Sequence, residues 1–152
     1  RFAARLNSSV RPYMKALLAL GFLVTALPLR AGELSVDVRC FSDLSGKIQL
    51  EFRAYEDRTI GWVGGQVRYK HSDTFIPLVF GKTETLTEIP GRPWEFKHHW
   101  FEIVDGAVNG QYHLISQGAG VHGFSYTSQT SGKTIDLSEQ SYPNEAGVCP
   151  WQ

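Results

Sequence analysis

Apolar and polar residues alternate with a period of two along most of the chain after residue 33. This is the period of a β-strand with one buried and one solvated face, because successive side chains of a strand point to opposite sides. A first such run covers residues 34–40 and a second covers residues 47–54, and the Ser45-Gly46 dipeptide between them predicts an antiparallel hairpin. In the first run, the predicted buried face holds Leu34, Val36, Val38 and Cys40, and the predicted wet face holds Ser35, Asp37 and Arg39.

Seven further segments have strand character, and turn residues separate them. They are residues 61–70, 75–80, 83–89, 94–104, 110–117, 121–127 and 134–137. The separating turns include Gly81-Lys82 and the Gly-Ala-Gly sequence at residues 118–120. No segment after Leu29 has helical periodicity. The pattern predicts an all-β fold, a small antiparallel β-sandwich or barrel of about eight to nine strands.

Two dipeptides compete for the turn before the strand at residues 110–117. Asp105-Gly106 and Asn109-Gly110 both suit a type I′ turn, whose two central residues have positive φ. We favour Asp105-Gly106, because it places Val108, Tyr112 and Leu114 on one face of the returning strand. Gly110 then serves as a bulge or as a point where the backbone approaches a neighbour closely.

The first 31 residues have the features of a signal peptide. Met14, the only methionine, precedes Lys15 and an apolar run at residues 16–29, and Ala31 is the small residue that signal peptidase requires. The run is too short to cross a hydrocarbon core, which needs roughly 20 apolar residues. We expect translation to start at Met14 and residues 1–31 to be removed. Residues 32–152 then form a single exported domain, periplasmic or secreted, without a stable membrane anchor.

Removal of the leader changes the charge of the protein. Five of the 15 basic residues precede Gly32 and none of the 15 acidic ones do, so residues 32–152 carry 10 basic and 15 acidic residues and a net charge of −5. Net negative charge argues against nucleic acid as a partner, because binding to phosphates depends on Lys and Arg. An acidic surface instead speeds the approach of a basic partner protein. A modest negative charge also serves solubility alone.

The exported domain contains two cysteines, Cys40 near its start and Cys149 near its end. An isolated pair in an oxidising compartment is expected to form a disulfide. Such a bond closes a loop of about 110 residues, which is worth roughly 4–5 kcal/mol on the chain-entropy model. We therefore expect Cys40 and Cys149 to join the two ends of the domain.

The sequence lacks the motifs of the common catalytic and phosphate-binding sites, including G-x-S-x-G, H-E-x-x-H and a Gly-rich phosphate loop. The histidines are the remaining candidates. His98 and His99 are adjacent on one predicted strand and so point to opposite faces. His113 and His122 flank the turn at residues 118–120, and together with His71 or one of the adjacent pair they could form a three-histidine site. The alternative is that all five are ordinary strand histidines. Because no spacing matches a metal motif, we expect no metal, no cofactor and no enzymatic activity.

Candidate binding residues lie where aromatics and glycines interrupt the strands. Trp62 adjoins a glycine-rich run, and Trp94 follows Pro90-Gly91-Arg92-Pro93 at the start of a strand. Residues 116–123 (SQGAGVHG) contain three glycines, which allow close approach to a partner. Such aromatics can also cap the end of a barrel, and such glycines can form a wide bulge. The candidate partner-binding residues are Trp62, Trp94, Ser116, Gln117, Gly118, Gly120 and His122.

These features together predict a non-enzymatic binding protein of the cell envelope or the medium. The leading expectation is an inhibitor or immunity-type partner of an exported toxin or cell-wall hydrolase, since such hydrolases are often basic. One alternative is a carbohydrate- or ligand-binding β module, which requires at least two of Trp62, Trp94 and Trp100 to present coplanar, exposed faces on one surface. The other is a metal-dependent enzyme that uses His113 and His122.

Overall fold

The computed structural model describes residues 34–151, and these residues form eight antiparallel strands. The strands are β1 (Leu34–Ser42), β2 (Gln49–Asp57), β3 (Trp62–Tyr69), β4 (Ile76–Thr87), β5 (Glu95–Val104), β6 (Ala107–Gln117), β7 (Gly120–Ser128) and β8 (Thr134–Ser141). Each strand pairs with the next and β8 pairs with β1, so the sheet closes into a barrel. The predicted all-β barrel is confirmed, whereas the predicted leader at residues 1–31 lies outside the described residues. Within residues 34–151 no helix is long and apolar enough to cross a membrane.

Alternate connections lie at opposite ends of the barrel, because neighbouring strands run in opposite directions. The upper end, as we call it, carries the connections after β2, β4 and β6, at residues 58–61, 88–94 and 118–119. The lower end carries the connections after β1, β3, β5 and β7, at residues 43–48, 70–75, 105–106 and 129–133. Residues that are far apart in the chain therefore meet at one end.

Aromatic side chains fill the middle of the barrel. The rings of Phe41 and Phe124 stack with their centroids 4.0 Å apart, and Phe52 packs edge-on against Trp100 at 5.5 Å. Tyr112, which is fully buried, stacks on Phe124 at 5.5 Å. An eight-stranded barrel has an interior just wide enough for side chains to fill, and large rings in offset or edge-on contact do so efficiently. This aromatic core separates the upper interior from the lower interior.

The C-terminal segment is attached to the barrel by a disulfide and by a buried carboxylate. Cys40 of β1 is bonded to Cys149, with Cα atoms 5.7 Å apart, which confirms the predicted bridge. Beside it, the fully buried Glu51 carboxylate accepts the backbone N–H of Cys149 at 2.9 Å. The same carboxylate pairs with Arg53 at 2.6 Å and with Arg68 at 3.3 Å. These partners compensate a charge that would be costly if it were buried alone.

Strand β4 is continuous where the sequence predicted two strands and a turn at Gly81-Lys82. The register with β5 shifts between Phe80 and Lys82, so Gly81 is the extra residue of a β-bulge and that predicted turn is wrong. A Cβ atom on Gly81 would press into the ring of Phe101 on β5. Glycine is used here for close packing and not for chain reversal, which is why the described chain has eight strands and not nine.

The two faces of β1 are the reverse of the predicted ones. Phe41 is fully buried in the core, and Asp37 and Arg39 share its inward face because they precede it by four and two residues. Val36, predicted to be buried, is 49% exposed on the outer wall. Cys40 also points outward, towards the C-terminal segment that it binds. The alternation predicted the strand correctly, but it could not indicate which face the closed barrel encloses.

The connection between β5 and β6 confirms the predicted turn. Asp105-Gly106 has φ values of 51° and 76°, as a type I′ turn requires. Gly110 is also the predicted point of close approach, because a Cβ there would overlap the ring of Tyr126. The prediction that Val108 shares a face with Tyr112 and Leu114 is wrong, since Val108 is 45% exposed while the other two are buried. The bulge at Asn109 moves Val108 to the outer face.

We predict that the variant in which Cys40 and Cys149 are both replaced by alanine loses about 2–5 kcal/mol of unfolding free energy, because the unfolded chain gains the freedom of an unclosed loop. The bond joins residues separated by 109 positions. Equilibrium urea denaturation measures the difference. Alkylation followed by mass spectrometry should find no free thiol in the protein before reduction. Two alkylated cysteines in the unreduced protein, or equal stabilities, would contradict the prediction.

Candidate functional site

A cavity of about 460 Å³ opens into the barrel at its upper end. Its floor is the upper side of the aromatic core, at Phe52, Trp100 and Leu114. We call this cavity the upper cup. Its polar lining consists of Ser35, Asp37 and Arg39 from β1, Glu56 from β2, Thr83 from β4, His98 from β5 and Ser116 from β6. The volume lies within the range typical of small-molecule sites, and an eight-stranded barrel can hold one small ligand.

One wall of the upper cup carries charge. The Arg39 guanidinium donates to Asp37 at 2.7 Å and to Glu139 of β8 at 3.3 Å. Burial by itself would lower the pKa of Arg39, but the hydrogen bonds and charges of the two carboxylates raise it above its ordinary value. The guanidinium therefore stays charged and is held in one position. Charged side chains inside a barrel need such partners, because an unpaired buried charge is strongly destabilising.

The opposite wall is built around His98. Its Nδ1 lies 3.0 Å from the Thr83 hydroxyl and its Nε2 lies 3.3 Å from the Ser116 hydroxyl. Phe80 and Phe96 flank the imidazole, with ring centroids 6.4 and 6.2 Å away. Burial, reinforced by the charge of neighbouring His99, lowers the pKa of His98. The ring is therefore neutral at pH 7, so one nitrogen donates a hydrogen bond and the other accepts one.

The rim of the upper cup is formed where two upper connections meet. The Gln117 side-chain amide donates to the backbone carbonyl of Pro93 at 2.9 Å, which joins the β6–β7 turn to the β4–β5 connection. Gly118 adopts a positive φ of 60°, and a Cβ there would only touch the Pro93 ring. Trp94 follows, 48% exposed, with its ring centroid 6.3 Å from that of Phe96. The predicted glycine-rich turn thus forms one edge of the opening.

The structure brings most of the predicted binding residues to the upper end. Ser116 and Gly118 line the cup, and Gln117 and Trp94 belong to its rim. Gly120 begins β7 beside the same turn, and His122 is exposed on that strand. Trp62 also lies at the upper end, but its ring covers the outward face of Gly64 on the outer wall. Trp100 is buried in the floor. Trp100 therefore cannot contribute to an exposed platform of tryptophans.

The structure does not bring His113 and His122 together. His113 lies opposite Ser125 on β7, three residues beyond His122. Its ring packs against His99, with centroids 4.8 Å apart, and the Nε2 of His99 lies 3.2 Å from a Glu84 carboxylate oxygen. In the part of the chain that the structure describes, no group of three or more His, Cys, Asp or Glu side chains could hold a metal ion. His98 and His99 do point to opposite faces, as predicted.

Sequence reasoning missed Asp37 and Arg39 as residues of the site, and it considered His98 only as a possible metal ligand. It assigned the first two to solvent, because they alternate with apolar residues. The position of Cys40, however, indicated the opposite orientation of β1. Cys40 was expected to bond to a residue in an irregular terminal segment, and such a segment lies outside a barrel, so the face of β1 that carries Cys40 must also be the outer face.

The upper cup is equipped to hold a polar molecule. In a serine hydrolase, a carboxylate holds the second imidazole nitrogen and stabilises the imidazolium that forms. Here the Thr83 hydroxyl takes that position, and the lowered pKa of His98 disfavours the imidazolium. What the cup offers is hydroxyl and imidazole hydrogen bonds, a fixed guanidinium and an aromatic floor. Comparison of the chain with protein-family models, with curated proteins and with solved structures finds no match.

The lowered pKa of His98 predicts a loss of stability in mild acid. Above the ordinary histidine pKa of 6.5 the ring is neutral in both the folded and the unfolded chain. As the pH falls below 6.5, the unfolded chain binds the proton first, so the unfolding free energy decreases until the pH reaches the lower folded pKa. We expect His98→Asn to show a smaller decrease than the unsubstituted protein between pH 7.5 and 5.5, measured by urea denaturation at each pH.

The matched control for this experiment is His71→Asn. His71 is exposed and has a φ of 66°, a conformation that asparagine tolerates. The control should reproduce the pH dependence of the unsubstituted protein more closely than His98→Asn does. An unchanged pH dependence in His98→Asn would show that His98 is not buried in its neutral form.

Proposed function

We propose that the chain is an exported, non-enzymatic binding protein, periplasmic or secreted, that holds a small polar ligand in the upper cup. The observation that carries the proposal is the inward direction of Asp37 and Arg39, which face the cavity above an aromatic floor. A barrel built for stability alone fills its interior with apolar side chains, because polar groups are costly to enclose. The disulfide supports export, since such bonds persist in oxidising compartments.

The lining of the cup favours a ligand rich in hydroxyl groups. Asp37 provides acceptors, Arg39 provides donors, and the hydroxyls of Thr83 and Ser116 can do either. Phe52, Phe80 and Trp100 give the cup apolar lining. A saccharide combines these two demands, because its hydroxyls form hydrogen bonds at its edges while its ring faces are apolar. The ligand would enter a cup and not lie on an exposed aromatic platform.

Filling the cup should abolish retention of this ligand. We expect native mass spectrometry of the protein, purified gently from its own cells, to show a small molecule bound to the unsubstituted chain. Ser116→Phe places a ring inside the cup and should weaken binding at least about tenfold, which corresponds to a loss of roughly 1.4 kcal/mol of binding free energy and lowers the bound fraction.

Ser125→Phe is the matched control for the filling experiment. Ser125 lies on β7 with its side chain on the outer wall, since the neighbouring Phe124 is in the core. This variant adds the same ring without entering the cup and should keep the bound molecule. If the unsubstituted protein carried no bound molecule, or if the Ser116→Phe variant retained it, the upper cup would not be the site.

A second candidate function is the binding of a basic partner protein, such as an exported toxin or cell-wall hydrolase that this chain inhibits. Exposed apolar side chains favour it, because they cluster around the upper end and such clusters mark interaction surfaces. They are Leu34, Val36, Ile60, Trp62, Leu86, Ile89 and Trp94. The net charge of −5 for residues 32–152, from 10 basic and 15 acidic residues, would favour a basic partner.

This second function predicts that the tagged domain, residues 32–152, recovers one exported basic protein from its own cells. Replacing both Ile60 and Trp94 by aspartate should abolish recovery, because apolar anchors contribute most of the binding energy of an interface. Leu44→Asp is the matched control, since Leu44 is fully exposed at the opposite, lower end. Recovery should also weaken with added salt. Equal recovery by the upper-end variant would exclude this surface as the interface.

A further inference from the structure

A second cavity, of about 290 Å³, opens at the lower end of the barrel. The aromatic core separates it from the upper cup. We call it the lower cavity. Leu50 and Leu137 contribute apolar wall, Tyr69 and Tyr126 contribute phenol rings, and Lys47 and Lys70 come from the lower connections that border it. Neither the sequence patterns nor the upper cup accounts for this combination of groups.

A buried carboxylate lies behind the wall of the lower cavity. Glu102 of β5 is 2% exposed. Its carboxylate oxygens accept hydrogen bonds from the Tyr112 hydroxyl at 3.0 Å, from the Tyr126 hydroxyl at 2.9 Å and from the Asn109 amide at 2.6 Å. All three partners donate, as a carboxylate requires. Among residues 34–151, Glu102 has no ion pair with any lysine, arginine or histidine.

The direction of these hydrogen bonds determines what the lower cavity can accept. Tyr112 has one hydroxyl proton and donates it to Glu102, so in its 2.7 Å contact with Tyr69 it must be the acceptor. Tyr69 therefore donates its own hydroxyl proton to Tyr112. Burial raises the pKa of Tyr69 and of Tyr112, so both stay protonated at neutral pH and the direction persists. The Tyr69 oxygen has only lone pairs left, so any ligand group that forms a hydrogen bond with it must be the donor.

The charges around the lower cavity differ between its wall and its border. The wall is negative, because the Tyr126 hydroxyl that lines it is bonded to the Glu102 carboxylate. The border is positive, because Lys47 and Lys70 bring ammonium groups that form no ion pair within the described residues. A cationic group near the wall would compensate a buried charge, and an anionic group at the border would meet two ammonium groups.

We infer that the lower cavity is a second binding site, for a small molecule that joins an ammonium group to a carboxylate through a short aliphatic chain. The ammonium donates to the Tyr69 oxygen near the Glu102 carboxylate. The aliphatic chain packs on Leu50 and Leu137. The carboxylate pairs with Lys47 and Lys70 at the border.

Isothermal titration of the exported domain with three matched probes tests this inference. 5-Aminopentanoate has both charged ends, pentanoate lacks the ammonium, and pentylamine lacks the carboxylate. We expect 5-aminopentanoate to bind at least about tenfold more tightly than pentanoate, because a hydrogen bond to a charged group is worth at least that factor. It should also bind more tightly than pentylamine, by a smaller factor, because ion pairs at an exposed border are weaker. Absence of binding at millimolar concentrations, or pentanoate binding as tightly, would overturn the inference.

Two variants test which residues bind the ammonium end and the carboxylate end of 5-aminopentanoate. Tyr69→Phe removes the acceptor oxygen but leaves the Tyr112–Glu102 hydrogen bond in place. It should weaken the binding of 5-aminopentanoate and leave the affinity for pentanoate unchanged. The Lys47→Gln/Lys70→Gln variant should weaken the binding of 5-aminopentanoate and leave the affinity for pentylamine unchanged. Lys82→Gln is the charge control, because Lys82 lies on β4 away from the cavity lining. Unchanged 5-aminopentanoate binding in a folded Tyr69→Phe protein would also overturn the inference.

The upper-cup variant separates the two proposals. Ser116→Phe fills the upper cup and should leave 5-aminopentanoate binding unchanged, because the aromatic core lies between the two cavities. If Ser116→Phe abolished the binding of 5-aminopentanoate, the probe would be in the upper cup and the assignment to the lower cavity would be wrong.

Discussion

Closure of the sheet between β1 and β8 is the contact on which the rest of this structure depends. The seam consists of three residue pairs, from Ser42 back to Cys40, so residues 34–39 of β1 have no partner on β8. The disulfide is attached at Cys40, where the pairing ends. One residue further up, the ion pair between Arg39 and Glu139 still bridges the two strands. Above that point β8 no longer pairs with β1, so the upper part of β1 beside the cup is joined to the described strands only through β2.

Closure also decides how polar groups inside the barrel must be satisfied. Arg39 lies between two carboxylates, and Glu102 accepts from three donors. Outside the barrel, Glu51 is buried in a comparable way under the C-terminal segment. Each of these charges is costly in a low-dielectric environment, and each has the partners that reduce the cost. The two inside the barrel also belong to, or lie behind, the wall of a cavity, whereas Glu51 fastens the end of the chain.

The aromatic core gives the two ends of the barrel different properties. Because Phe41, Phe124 and Trp100 occupy the middle, neither cavity passes through the barrel. The upper cup has a charged wall, a neutral histidine and an apolar rim. The lower cavity has a phenol and carboxylate wall and a basic border. Because the core separates the two cavities, each could bind a ligand independently of the other. A substitution in one cavity should leave the other intact.

The period-two alternation, the turn residues and the two cysteines determined the strands, the antiparallel order, the disulfide and the Asp105-Gly106 turn. These features are local, or in the case of the disulfide follow from the absence of any other cysteine. The glycine-rich segment likewise indicated the rim of the upper cup, since glycines mark a sharp turn whatever surrounds it. Alternation specifies two faces of a strand but does not name the inner one. Asp37, Arg39 and His98 line one cavity only because closure of the sheet turned their faces inward. The continuity of β4 was also decided by tertiary structure. Only packing against Phe101 distinguishes Gly81 at a bulge from a glycine at a turn.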